Sequence, residues 1–300
     1  MHSLRTAVFK RADSILGPLA CHYRGSHHYR RDPAGPPAPV RPDDIRRLLV
    51  IRPGGIGDML VLLPVLRLLR DRLPQARLDI VCERRNVEVL RLAGLADRAR
   101  VYDAGPLRFL AELRRDAFDV AIDTEQFHHF SAVFASLSGA ATRIGFKINP
   151  RRNPLYTHLV NYAPDGPEGL QFLRLLEPLG LQDESCTLEG ALDSVPRELD
   201  PGLENRLAQA FGNRAFAVVH PGASTRYKRW PPARFAEVVR QLETHQGIGS
   251  VILGSRAERA LSEDILNRAR TAGATALSLA GELDLAHAAA LIARSHLFVG

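Results

Sequence analysis

The chain reads as an α/β protein made of two doubly wound, parallel-sheet halves. Three observations carry this reading. Short apolar runs alternate with helix-like segments from Asp43 to about residue 180. The alternation lapses in a polar stretch, 182–202, and then restarts. Each half turns the chain with glycine where its first strand ends, at Gly54-Gly55 and at Gly222.

The strand-like runs of the first half are 46–52, 76–82, 99–103, 118–123 and 142–146. Helix-like segments lie between them at 58–73, 86–93, 106–116 and 128–138, and another follows at 167–180. Pro64 falls inside the first of these, which predicts a kink or a later start. The second half repeats the rhythm. Strands are expected at 216–220, 250–254, 275–279 and 296–300, with helices at 231–244, 256–270 and 284–294. The expected division is a basic, proline-rich arm (1–42), a first Rossmann-like domain (43–182) and a second (183–300).

At 45% hydrophobic, 300 residues can bury the cores of two ordinary domains. The formal charge is +7, and residues 1–42 hold seven cations against Asp13 and Asp32. The remainder is nearly balanced, which argues against a nucleic-acid-binding face and for discrete anionic partners. Leu4, Val8, Ile15 and Leu19 stand among these cations. Residues 1–20 fit either an amphipathic helix lying on an anionic membrane or a disordered basic arm. Residues 30–42, RRDPAGPPAPVRP, read as a linker. Cys21, Cys82 and Cys186 are odd in number and scattered, so no disulfide framework is expected and a reducing cytoplasm fits. The group Cys21, His22, His27 and His28 has no recognised metal-ligand spacing. No apolar run approaches the roughly 18 residues of a membrane-spanning helix.

Two motifs carry chemistry. The first is LLVIRPGGIGDML, 48–60: a strand, then Gly54, Gly55 and Gly57, then a helix. Backbone here can approach a ligand closely. A dinucleotide fingerprint would place a third glycine where Leu60 stands, although Glu83 sits where a ribose-binding acid belongs, so a nicotinamide-dependent oxidoreductase stays open. Asp58 replaces the lysine of a phosphate-binding loop. A carboxylate there suits a sugar hydroxyl, as acceptor or general base, or it caps the helix. The second motif is AVVHPGASTRYKRWPPARF, 217–235. Gly222 turns the chain, Ser224 and Thr225 offer hydroxyls, and Lys228 offers a mobile cation beyond a strand end, which is what a diphosphate needs. Only Lys10, Lys147 and Lys228 are lysines in a chain of 40 basic residues, which favours a role for a compact charge at 228 over a solvated loop cation.

RPGGIGDMLVLLPVLRLLR, followed downstream by HPGASTRYKRWPPARFAEVV, resembles the heptosyltransferases of glycosyltransferase family 9. The stretches FDVAIDTEQFHHFSAVFASLSGAATRIGF, ILGSRAERAL and LAGELDLAHAAALIARSHLFVG extend the resemblance over about 45–300. It implies a GT-B fold, two Rossmann-like domains facing a cleft. It also implies inverting, metal-independent transfer without a cofactor, from a nucleotide-sugar, ADP-heptose in this family, to a lipopolysaccharide-core glycolipid at the cytoplasmic side. Under it, the Gly54, Gly55 and Gly57 turn meets the acceptor and Asp58 is the base or orienting acid. Gly222, Ser224 and Thr225 hold the diphosphate, Lys228 offsets its leaving charge and Glu258 binds the ribose. The family continues past its last Val-Gly with a donor-binding loop, so the second domain is expected to be incomplete at Gly300 and activity of these 300 residues alone is in doubt. Thr124-Glu125-Gln126-Phe127 departs from the family's usual tripeptide, which leaves the acceptor open, with Arg143 and Lys147 as candidate anion contacts or ordinary surface charges. A non-catalytic nucleotide-sugar-binding relative is the remaining alternative.

Overall fold

The computed structural model describes residues 2–31, 40–181, 198–223 and 225–300. The chain divides into two compact units, Met1–Ser194 and Val195–Gly300.

The first unit holds α1 (His2–Arg31), β1 (Arg47–Ile51), α2 (Ile56–Arg72), β2 (Arg77–Cys82), α3 (Val87–Ala93) and β3 (Arg98–Val101). It continues with α4 (Pro106–Arg115), β4 (Val120–Asp123), α5 (His129–Leu137), β5 (Thr142–Phe146), β6 (His158–Val160) and α6 (Glu168–Arg174). Its six strands are all parallel, in the order β3-β2-β1-β4-β5-β6, with Val50 opposite both Ile80 and Ile122. Leu48, Leu49, Val50 and Ile51 are buried because helices cover both sheet faces. Helix α2 starts at Ile56 and runs through Pro64, earlier and longer than the sequence suggests. Strand β6 is an additional, three-residue edge.

The N-terminal segment is neither a free arm nor a short helix. Helix α1 runs 30 residues and packs on α5 and on a 3-10 turn at Asn153–Leu155. Asp13, Gly17, Cys21 and Gly25, spaced by four, are buried on its inner face. A Cβ at Gly17 would lie 2.6 Å from His129 Cβ, so glycine permits the close approach. Arg24 donates to Ser136 Oγ and to its carbonyl. Cys21 is a core residue whose thiol donates to the His129 carbonyl at 3.6 Å, which removes it from the cysteine–histidine group. Most of the proline-rich stretch, 32–39, and the side chains of His27 and His28 lie outside the described residues.

The second unit holds α7 (Pro201–Phe211), β7 (Phe216–Val219), α8 (Pro232–Gln246) and β8 (Gly249–Ile252). Helix α9 (Arg259–Thr271), β9 (Ala276–Ser278), α10 (Leu285–Arg294) and β10 (Leu297–Val299) complete it. Its parallel order, β10-β7-β8-β9, is the winding of the first unit over four strands. Helix α7 was not anticipated. Asp200 accepts from the Leu203 amide as its N-cap, Pro201 follows, and Leu203, Leu207 and Phe211 are buried.

Candidate functional site

In a doubly wound sheet, loops gather ligands where the strand order reverses. In the first unit that point lies between β1 and β4, and in the second between β7 and β10. Both sequence motifs fall there.

After β1, Gly54 takes φ +141°, and a Cβ on it would sit 2.6 Å from Asp58 Oδ2. Asp58 Oδ2 accepts from the Gly55 amide at 2.6 Å, closing the N-terminus of α2. Asp58 Oδ1 pairs with Arg52 Nη2 at 3.1 Å, while the Asp58 side chain stays about half exposed. Arg52 is buried, donates from Nη1 to the Thr124 carbonyl at 3.0 Å, and lies over the Phe172 ring at 4.7 Å. It therefore ties the turn after β1 to the loop after β4. Gly57 differs from Gly54: a Cβ there meets nothing within 4 Å. Its bareness answers no need of the fold.

Glu83 is buried and committed. Its Oε1 accepts from the Gly54 amide at 3.2 Å and from the Tyr102 hydroxyl at 2.9 Å, and its Oε2 pairs with Arg85. Burial, and then Glu83 itself, push the Tyr102 hydroxyl far up, so it remains a donor. Glu83 thus closes the glycine turn. The dinucleotide reading loses its ribose-binding acid as well as its third glycine.

The loop after β4 is held from within. Asp123 is fully buried, 3.0 Å from Arg152 Nη2 and 2.6 Å from the Tyr156 hydroxyl. Glu125 Oε1 accepts from the amides of Gln126, Phe127 and His128. The Gln126 side chain donates from Nε2 to Glu168, which also accepts from the Tyr162 hydroxyl. Phe127 is 72% exposed. Arg143 spends its guanidinium on the Leu155 and Ala140 carbonyls, at 2.7 Å each. Lys147 is exposed.

In the second unit the chain leaves β7 at His220 and turns through Pro221, Gly222 and Ala223. A Cβ on Gly222 would collide with Glu258 Oε1, so glycine lets the turn close on that carboxylate. Glu258 Oε2 accepts from the Ser255 amide and hydroxyl, at 2.8 Å each. Burial pushes the Glu258 carboxyl up, but Ser255, with His220 and Arg229 behind it, holds it below its ordinary value of 4.5. Thr225 Oγ1 is buried with no partner among the described residues. Lys228 donates its amide to the Thr225 carbonyl at 3.1 Å, and its side chain is exposed. Trp230 packs edge-on against Phe235 at 5.4 Å, anchoring the far end of the loop. Ser224 lies outside the described residues. The structure thus groups Gly222, Thr225, Lys228 and Glu258 in one unit, and Gly54, Gly55, Gly57 and Asp58 in the other. Arg52 was missed as a site residue. Its only sequence signal is a cation at a strand end six positions before the acid.

Two Rossmann-like units in one chain, each with a glycine turn and polar side chains at its switch point, are the architecture of the GT-B class. The family model "Glycosyltransferase family 9 (heptosyltransferase)" matches residues 107–300, and the chain belongs to that family. It is 26% identical over 262 residues to lipopolysaccharide heptosyltransferase 3 of Escherichia coli, covering 81% of this chain and 74% of that protein. Among solved structures it is similar to a family 9 glycosyltransferase of Veillonella parvula, with TM-score 0.67 and 17% identity, covering 87% of this chain and 76% of that one. It is also similar to E. coli heptosyltransferase WaaC with ADP-2-deoxy-2-fluoro heptose, with TM-score 0.68 and 16% identity, covering 84% and 81%. The E. coli ADP-heptose lps heptosyltransferase II gives TM-score 0.61 at 23% identity, covering 84% and 78%. At these identities the solved structures bear on the fold.

Proposed function

We propose that this glycosyltransferase moves heptose from ADP-heptose to a lipopolysaccharide-core-type glycolipid, with inversion and without a metal. The observation that carries the donor half is the turn after β7. Gly222 closes on the Glu258 carboxylate, the Thr225 hydroxyl is buried with no partner among the described residues, and the Lys228 cation stands on the same loop. That set offers a carboxylate for ribose hydroxyls and a hydroxyl and cation for a diphosphate.

The acceptor approaches the bare backbone at Gly57, beside Asp58. Both Asp58 oxygens already accept one contact, and each keeps a lone pair for an incoming hydroxyl. The acceptor hydroxyl gives its proton to Asp58 and its oxygen attacks the anomeric carbon from the face opposite the diphosphate. The new C–O bond forms as the sugar–phosphate C–O bond breaks, and ADP leaves with the electron pair. Lys228 and the loop amides offset its growing charge, a contribution typically worth about 100- to 1000-fold in rate. The same reading places the enzyme at the cytoplasmic face of a membrane, where its lipid-borne acceptor would be met.

Calorimetric titration with ADP, UDP and NAD, on wild type and Lys228→Ala, tests it. ADP binding that weakens with the substitution is expected. Preference for UDP would change the donor, and tight NAD binding would overturn the reading.

A further inference from the structure

We infer that the outward face of α1 is the surface on which this protein rests against an anionic lipid bilayer. Five large apolar side chains stand exposed on this helix: Val8 at 61%, Ile15 at 60%, Leu16 at 55%, Leu19 at 66% and Tyr23 at 65%. Their spacing, i, i+7, i+8, i+11 and i+15, puts them on one stripe, away from the inner face of Asp13, Gly17, Cys21 and Gly25. By helical rise the stripe runs about 22 Å. An isolated exposed leucine needs no explanation, whereas a continuous stripe does.

A groove of about 920 Å³ adjoins the stripe, lined by Ile15, Pro18, Leu19, Pro150, Pro154 and Arg151. Arg11, one turn before Ile15, is exposed, as is Arg151 at the groove edge. The single carboxylate of α1, Asp13, points inward and accepts from the His129 and Phe130 amides. The outer face therefore joins apolar area to positive charge with no acid among its described residues. That is the composition of an interfacial helix. It does not suit a second copy: a twofold contact through this face would set its cations against themselves. No described helix is long and apolar enough to cross a membrane, so α1 lies on the surface.

Its placement gives the surface a use. The Phe9 ring meets the Tyr102 ring at 5.6 Å, and Tyr102 bonds Glu83, which holds Gly54. The bilayer-facing stripe therefore begins beside the glycine turn. An acceptor whose lipid stays in the bilayer can present its sugars to that turn, a consequence that rests on the acceptor reading above.

The test is flotation of the full chain with vesicles of phosphatidylcholine alone or mixed with phosphatidylglycerol. Wild type is expected to float with the anionic vesicles and not with the neutral ones. Ile15→Glu/Leu19→Glu should fall to background, and Arg11→Glu/Arg151→Glu should lose roughly fivefold or more per charge. All four positions are solvent-facing, and a thermal melt matching wild type confirms the variants are folded. Undiminished flotation of the Ile15→Glu/Leu19→Glu variant, or no flotation of wild type, overturns the inference. So does a dimer in light scattering that this variant abolishes. No nucleotide enters the assay, so its failure leaves the ADP titration standing, and the reverse holds too.

Discussion

Asp58 is held at both oxygens, Oδ1 by Arg52 Nη2 at 3.1 Å and Oδ2 by the Gly55 amide at 2.6 Å. The two readings of this acid, base and cap, are thus joined in one residue and separable by substitution. Asp58→Ala removes both and should cost about 1 kcal/mol of stability with the cap, because Arg52 keeps the Thr124 carbonyl and the Phe172 ring. Asp58→Asn keeps an acceptor for Gly55 but cannot take a proton. It should melt near wild type and turn over about 100- to 10,000-fold more slowly. An asparagine variant with wild-type turnover would leave Asp58 as a cap only.

Gly222 and Glu258 should act on nucleotide as one unit. Gly222→Ala drives a methyl into Glu258 Oε1 and displaces it. Losing a charged hydrogen bond to the nucleotide typically costs about 1.5–3 kcal/mol, roughly 10- to 100-fold in affinity. If the glycine matters only through the carboxylate, Gly222→Ala should cost nothing further in a Glu258→Ala background. Titration with ADP across the four-member cycle decides it, and additive losses would mean that the turn itself touches the nucleotide.

The strands were legible because a parallel sheet covered on both faces writes itself as apolar runs such as Leu48–Ile51. Strand β6 was not, since a three-residue edge with Leu159 40% exposed leaves no run to see. Helix α7 had a signal that went unread, Asp200-Pro201 ahead of Leu203, Leu207 and Phe211. Helix α1 misled in a more instructive way. Its docking face is built largely from Asp13, Gly17, Cys21 and Gly25, small or polar residues that hydrophobic periodicity passes over, while Val8, Ile15, Leu16, Leu19 and Tyr23 are left outside. The glycines and Asp58 announced the first turn. Arg52 could not be paired in advance, because Thr124 and Phe172 reach it only through the fold.

The docking of α1 should respond to pH through two histidines of opposite sign. Asp13 lies 3.4 Å from His128 Nδ1 and 3.8 Å from His129 Nδ1. The hydrogen bond to Asp13 raises His128 above its ordinary 6.5, with burial and Lys10 opposing and Glu125 assisting. Its stabilisation is full below pH 6.5 and is lost as pH rises through the raised value. Burial lowers His129 below 6.5, with Arg152 and Arg151 assisting and Asp13 opposing. Its neutral form is favoured on folding, so it costs stability as pH falls below 6.5. For Asp13 burial pushes up, but His128 and the two amides bring it below 3.8, so its own loss comes only in stronger acid. Between pH 5 and 8 the two histidines therefore oppose each other in wild type. Hydrogen-exchange protection of the α1 amides should separate them. His129→Gln should lose protection as pH rises from 6 to 8, and His128→Gln as it falls from 7 to 5. Identical profiles in the two variants would show that neither histidine's proton is linked to the docked helix.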